Sequence, residues 1–118
     1  MSKTVVIVDD STYQRKSIAT ILENNGFTIL GEAKDGQQTI DMVLDEEPDF
    51  VTMDNIMPGI NGIDASEAIK NEGSKAKILM VSSVAQEEAV KDALSRGVDG
   101  FLKKPFEDVD LVEAIYDL

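Results

Sequence analysis

Residues able to hold a cation or a phosphoryl group stand at the C-terminal ends of four short apolar runs. Asp9 and Asp10 follow Val5-Val6-Ile7-Val8, Asp54 follows Phe50-Val51-Thr52-Met53, Ser82 follows Ile78-Leu79-Met80-Val81, and Lys103 and Lys104 follow Phe101-Leu102. No charged residue interrupts the middle of a run. A carboxylate can ligate a hard cation or attack phosphorus, a hydroxyl can donate to a phosphoryl oxygen, and an ammonium can neutralise one. If the runs lie side by side as parallel strands, their C-terminal ends share the edge where open α/β sheets place their sites. Three carboxylates, a hydroxyl and an ammonium then converge.

Such a convergence is electrostatically uncomfortable, because two unit charges about 4 Å apart repel by roughly 4 kcal/mol at an effective dielectric near 20. Something positive must sit among them. With oxygen donors and neither His nor Cys in the chain, the fitting ion is a hard cation, and Mg²⁺ accepts one or two carboxylates with water and phosphate oxygens completing its shell. Asp54 directly follows an apolar run and precedes a Pro/Gly loop, so it should project from the sheet edge, where a carboxylate beside a metal can become an acyl phosphate. Phosphoryl transfer needs positioning and charge neutralisation more than a base, so the lack of His is no obstacle. Strand alternation favours Ser82 over Ser83 and Lys104 over Lys103 as the inward-facing members of their pairs. The Lys104-Pro105 bond is a candidate for the cis form. Plainer roles are helix capping for Asp9-Asp10, turn formation for Asp54 and local capping for Ser82.

The elements that would position these residues are legible in the hydrophobic period. It switches repeatedly between short continuous runs and 3.6-residue spacing, the pattern of repeated βα units. Strands are expected over Val5 to Val8, Phe27 to Ala33, Phe50 to Asp54, Ala76 to Ser82 and Gly100 to Lys103. A helix follows each: one with Ile18, Ile21 and Leu22 inward, stopped by Asn24-Asn25-Gly26; one with Ile40, Val43 and Leu44 inward, ended before Pro48; one bearing Ile63, Ala65, Ala68 and Ile69; one from Gln86 to Ser95 with Ala89, Val90, Ala93 and Leu94 inward; and one bearing Val109, Val112, Ile115 and Tyr116. Right-handed crossovers make this a doubly wound five-stranded parallel sheet with helices on both faces. The order 2-1-3-4-5 puts strands one and three together at the switch point. Phe27 to Ala33 then lies at the far sheet edge, without chemistry.

Composition narrows the function classes. At 118 residues the chain is one domain, 1–118, able to bury roughly two-thirds of its unfolded surface. The 11 basic and 23 acidic residues give a net charge of −12, a field that repels polyanions and argues against direct nucleic-acid binding. No cysteine means no disulfide, thiol catalysis or Cys-based metal site. The four-residue run near Met1 is neither a signal peptide nor a membrane span. A cytoplasmic, monomeric protein with no membrane attachment is expected, and an initiator Met with a final helix ending at Leu118 favours a complete chain.

Taken in order, Val-Asp-Asp at 8 to 10, Met-Asp-Asn-Ile-Met-Pro-Gly-Ile-Asn-Gly at 53 to 62, Val-Ser-Ser at 81 to 83 and Lys-Pro-Phe at 104 to 106 resemble the receiver domain of two-component response regulators. Its compactness resembles the stand-alone chemotaxis type, with a flavodoxin/CheY-like fold. The resemblance implies that Asp54 accepts a phosphoryl group from a histidine kinase, CheA-like in a chemotaxis pathway. It implies Mg²⁺ held by Asp10, Asp54 and the Ile56 main-chain carbonyl, with Asp9 assisting through water, and Lys104 pairing with the phosphoryl group. Ser82 matches the switch hydroxyl and Phe101 the switch aromatic, whose movement alters a target-binding face built from the fourth helix, fifth strand and fifth helix. Such a domain catalyses only its own phosphorylation and dephosphorylation.

Departures and rivals sharpen these expectations. Many chemotaxis receivers carry Thr where Ser82 stands and Tyr where Phe101 stands, so the ring here lacks a hydroxyl to bond a target. Ile56 and Val84, two positions beyond Asp54 and Ser82, are apolar and unable to orient a hydrolytic water, so slow self-dephosphorylation is expected. A phosphatase with an aspartyl nucleophile would need a second acid at Ile56. A flavin-binding relative would need a phosphate-cradling loop where Asp10-Ser11-Thr12 stands. A receiver of another two-component pathway, or a phosphorylation-independent receiver-like interaction module, would look closely similar.

Overall fold

In the computed structural model, which describes residues 3–83 and 86–118, five strands and five helices alternate along the chain: β1 (Thr4–Val8), α1 (Thr12–Glu23), β2 (Thr28–Ala33), α2 (Gly36–Glu46), β3 (Phe50–Met53), α3 (Gly62–Asn71), β4 (Lys77–Ser82), α4 (Glu87–Ser95), β5 (Gly100–Lys103) and α5 (Asp108–Tyr116). The sheet is parallel, in the order β2-β1-β3-β4-β5. β1 and β4 are nearly all buried because each has covered faces on both sides, which is why their sequences are continuous rather than alternating.

Two cores result. Val5 and Ile7 pack with α1 (Ile18, Ile21, Leu22) and α5 (Leu111, Ile115) on one face of the sheet. Val6 and Val8 pack with α2 (Val43), α3 (Ala65, Ile69) and α4 (Ala93) on the other. Capping fixes where the helices begin: the main-chain N–H groups of Gln14, Gln38 and Asp64 donate to the side chains of Ser11, Asp35 and Asn61. α5 begins with a capping box between Glu107 and Asp110. α4 begins at Gln86 with no side-chain cap bond.

Several helix faces differ from expectation. Leu44 and Leu94 are 38% and 46% exposed, and Val109 and Tyr116 on α5 are exposed as well. In each case the centre of the buried stripe is set by a neighbour: Thr39 and Val43 in α2, Ala93 in α4, Leu111 and Ile115 in α5. Helices this short bury only a narrow stripe, so larger apolar side chains beside it fall on its shoulder. Tyr116 still rests against Phe27, with ring centroids 5.7 Å apart.

Among the described residues, one buried side-chain group lacks a partner. Thr52 is 1% exposed in the middle of the central strand, and its hydroxyl has no hydrogen bond among the described residues. An unpaired buried hydroxyl is unfavourable relative to a methyl of the same shape. Thr52→Val should therefore stabilise the protein by about 1 kcal/mol, read as a higher urea midpoint with an unchanged slope; a lower midpoint would mean the hydroxyl is satisfied in solution.

Candidate functional site

The backbone of the site is an extension of the sheet. Asp9 N–H donates to Ala33 O at 3.1 Å, Asp54 N–H to Val8 O at 3.0 Å and Lys104 N–H to Ser82 O at 2.9 Å. Each chemistry-bearing residue on β1, β3 and β5 thus makes one more interstrand bond beyond its strand. These positions are fixed by the strands rather than by loop packing, as a precise site requires.

The carboxylates of Asp9, Asp10 and Asp54 each place an oxygen within 4.8 Å of the others. Asp9 and Asp54 are 2% and 8% exposed, while Asp10 is exposed. Asp9 is engaged on both oxygens: Oδ1 accepts the Ser11 N–H at 2.9 Å and Oδ2 accepts Lys104 Nζ at 2.9 Å. The same ammonium lies 3.8 Å from Asp54 Oδ1, so Lys104 is shared between the two but closer to Asp9. Burial and the Asp9 charge push the Asp54 carboxyl up to about 6, Asp10 adding to the rise; Lys104 and the Ile56 main-chain N–H pull it down. The donor set is all oxygen, two carboxylates are buried and the third is free of side-chain bonds among the described residues. That fits a hard, small divalent cation such as Mg²⁺.

The loop after Asp54 is held by glycines where a side chain cannot fit. A Cβ on Gly62 would stand 2.3 Å from Asp54 O, and one on Gly36 2.3 Å from Ile60 O. The Gly62 N–H closes the loop onto Asn55 O at 2.9 Å, and Asn55 Oδ1 accepts the Ile63 N–H. Within this loop Met57 is buried and the Ile56 side chain is 62% exposed.

The remaining predicted positions fall as follows. Ser82 is buried and Ser83 exposed; Lys103 is exposed and Lys104 mostly covered. The Lys104-Pro105 peptide is cis. Phe101 is partly buried against the core under α2, α3 and α4. Val84 lies outside the described residues. A surface hollow of about 680 Å³, lined in part by Lys3, Phe50 and Lys77, lies at the opposite sheet edge, so chemistry rather than cavity size locates the site. β2 lies at the sheet edge as expected, and its side-chain link to the site is indirect: Glu32 accepts Arg15 Nε at 3.1 Å, and Arg15 Nη1 donates to Asp9 O at 2.7 Å. Arg15 was not legible as a site residue, because an arginine in the first turns of a surface helix reads as a solvated side chain; its place six residues after Asp9 is the only signal in the sequence.

A doubly wound domain with an aspartate cluster at the β1/β3 switch point and a lysine closing it defines a narrow class. The sequence matches the response regulator receiver domain over residues 5–116, and the chain belongs to that family. It is 40% identical over 118 residues to the chemotaxis protein CheY of Halobacterium salinarum, covering 100% of this chain and 98% of that protein. It is 39% identical over 115 residues to the chemotaxis protein CheY of Bacillus subtilis, covering 98% and 96%. Among solved structures it superposes on the CheX-CheY-BeF3-magnesium complex from Borrelia burgdorferi with a TM-score of 0.94 at 30% identity, covering 98% of this chain and 87% of that one.

The raised Asp54 pKa has a stability consequence. A carboxyl that is harder to ionise when folded contributes stability fully present below its unfolded pKa, and that contribution is lost as pH rises through the folded pKa of about 6. In EDTA, Asp54→Asn should therefore melt above wild type at pH 7.5. The gap should shrink toward pH 4, its full size being on the order of 2–3 kcal/mol. A gap that does not change with pH would rule out ionisation of a buried Asp54 as its origin.

Proposed function

We propose that this chain is a phosphorylation-switched signalling domain in which Asp54 is the covalent acceptor. The observation that carries the proposal is the convergence of a nearly buried Asp54, two further carboxylates within 4.8 Å and the Lys104 ammonium at 3.8 Å. An Asp54 carboxylate oxygen attacks phosphorus of a phosphohistidine on a histidine kinase. The P–N bond breaks as the acyl-phosphate P–O bond forms, and the imidazole leaves. Asp10, Asp54 and the Ile56 carbonyl would hold Mg²⁺, with Asp9 assisting through water, and the bound ion would supply charge neutralisation for that transfer. Lys104 exchanges its Asp9 contact for a phosphoryl oxygen, and Ser82 donates a hydrogen bond to another. Phe101 repositions with Ser82, changing the face of α4, β5 and α5 that a protein target reads.

Chemotaxis or motility signalling, with a CheA-like kinase, is the pathway favoured by the CheY relatives. The domain acts as a switch rather than an enzyme on other molecules, its catalysis confined to its own phosphorylation and dephosphorylation. The net charge of −12 supports protein partners over nucleic acid. Among the described residues no helix is long and apolar enough to cross a membrane. We assign the domain to the cytoplasm, as a monomer.

Mass spectrometry after incubation with a small phosphodonor and Mg²⁺ should show one added phosphoryl group, absent in EDTA and in Asp54→Ala. Phosphorylation that survives Asp54→Ala would overturn the assignment. The lifetime of the modified protein provides a second check. The exposed, apolar Ile56 beside Asp54 cannot orient an attacking water, so the phosphoryl group should persist for minutes or longer and Ile56→Asn should shorten that time several-fold. A lifetime of seconds in the purified wild type would contradict this.

A further inference from the structure

Arg15 is bonded to three different parts of the fold. Its side chain is 14% exposed, and its guanidinium donates to Asp9 O at 2.7 Å, Glu32 Oε1 at 3.1 Å and Thr12 Oγ1 at 3.2 Å. A planar fork with partners at the end of β1, on β2 and on α1 has little freedom left.

The carbonyl it grips belongs to the peptide joining Asp9 to Asp10. The other end of Asp9 is held by the N–H bond to Ala33 O, and the Asp9 carboxylate is held by Ser11 and Lys104. Asp10 is different. It is exposed, and its carboxylate has no hydrogen-bond partner among the described residues, although it belongs to the three-carboxylate cluster. Its aim therefore depends on the plane of the peptide before it. Arg15 sets that plane, and Glu32 sets Arg15.

We propose that Arg15, held by Glu32, is the positioning residue that aims Asp10 at the divalent cation; this rests on the assignment of Asp9, Asp10 and Asp54 as a Mg²⁺ site. Glu32 has a second effect, since it draws the guanidinium toward β2 and keeps it from turning to Asp10 in place of the cation. The proposal has a sign that a pure charge effect lacks. Arg15 carries a positive charge beside a cation site, so Coulomb's law alone says that removing it tightens Mg²⁺. Loss of a positioning bond says the opposite.

Isothermal titration of the full chain with MgCl₂ separates the two. Arg15→Met keeps the apolar stem and removes the donors, and should weaken Mg²⁺ binding roughly tenfold, the scale seen when groups behind metal ligands are lost. Glu32→Gln should weaken it by less, because the bond to Asp9 O survives. Melting in EDTA reports folding separately. Unchanged or tighter binding in folded Arg15→Met overturns the proposal. If that variant does not fold, Arg15→Lys decides: it keeps the charge but loses the fork, so binding should weaken, and unchanged affinity refutes the role. Wild type that binds Mg²⁺ alongside unaffected variants defeats this inference alone, whereas wild type that binds none defeats the metal site as well.

Discussion

The rest of the site answers to one constraint, the mutual repulsion of three carboxylates brought together where β1 and β3 end. Asp9, Asp10 and Asp54 lie within 4.8 Å of one another, two of them nearly buried. Left free, such groups would separate by loop movement or by protonation. Loop movement is not easy here. The ladder bonds of Asp9 and Asp54 fix the backbone, and bare α-carbons at Gly36 and Gly62 let the following loop press against Asp54 and Ile60 where a methyl would collide. Protonation is the easier response: burial first, and then the Asp9 and Asp10 charges, push the Asp54 carboxyl up to about 6. A site held in this condition favours a cation among its oxygens.

Lys104 sits at the balance point. Its bond to Asp9 at 2.9 Å and its 3.8 Å approach to Asp54 mean that the single ammonium in the cluster is divided unequally between two anions. A phosphoryl group on Asp54 carries about −1.5 to −2 charges near neutral pH, more than the carboxylate it replaces. On the proposed phosphorylation of Asp54, that increase would draw the ammonium across from Asp9 without any new residue entering the site. Because the Lys104 N–H is bonded to Ser82 O, the lysine and the hydroxyl proposed to bond the phosphoryl group share one pair of strand ends.

The strands and their chemistry were legible in the sequence for a single reason: strands buried on both faces read as continuous apolar runs, and each run stops where its first chemical residue begins. Topology then did the remaining work, since only adjacency of β1 and β3 makes neighbours of Asp9 and Asp54. Helix faces were less legible. Leu44, Leu94, Val109 and Tyr116 are the bulky apolar residues of their segments, yet the buried stripes centre on Thr39, Ala93 and Leu111. In helices of 9 to 11 residues a shift of one position rotates the face by about 100°. Arg15 and Glu32 were invisible for a different reason. Their meaning lies in a contact between α1 and β2 that neither hydrophobic period nor motif spacing encodes.

How a charge change at the strand ends can reach a protein target is bounded by how α4 is attached. A ligand shifts an equilibrium only by the difference in its interaction with the two states, so the element that responds must be inexpensive to move. α4 meets that condition at its first turn. Ala93, near its C-terminal end, is its one buried residue, and Gln86 at its start makes no side-chain cap bond. Its C-terminal end is held more firmly, where Arg96 reaches Asp64 and Glu67 on α3 and Asp92 on α4 itself. These pairs are half exposed, worth little singly but directional as a group. The helix is thus tied to α3 at the end far from Ser82 and loosely held at the end that follows it. Of the described helices α4 buries the fewest residues, so on the proposed switch it is the element that a change at Ser82 would move at least cost.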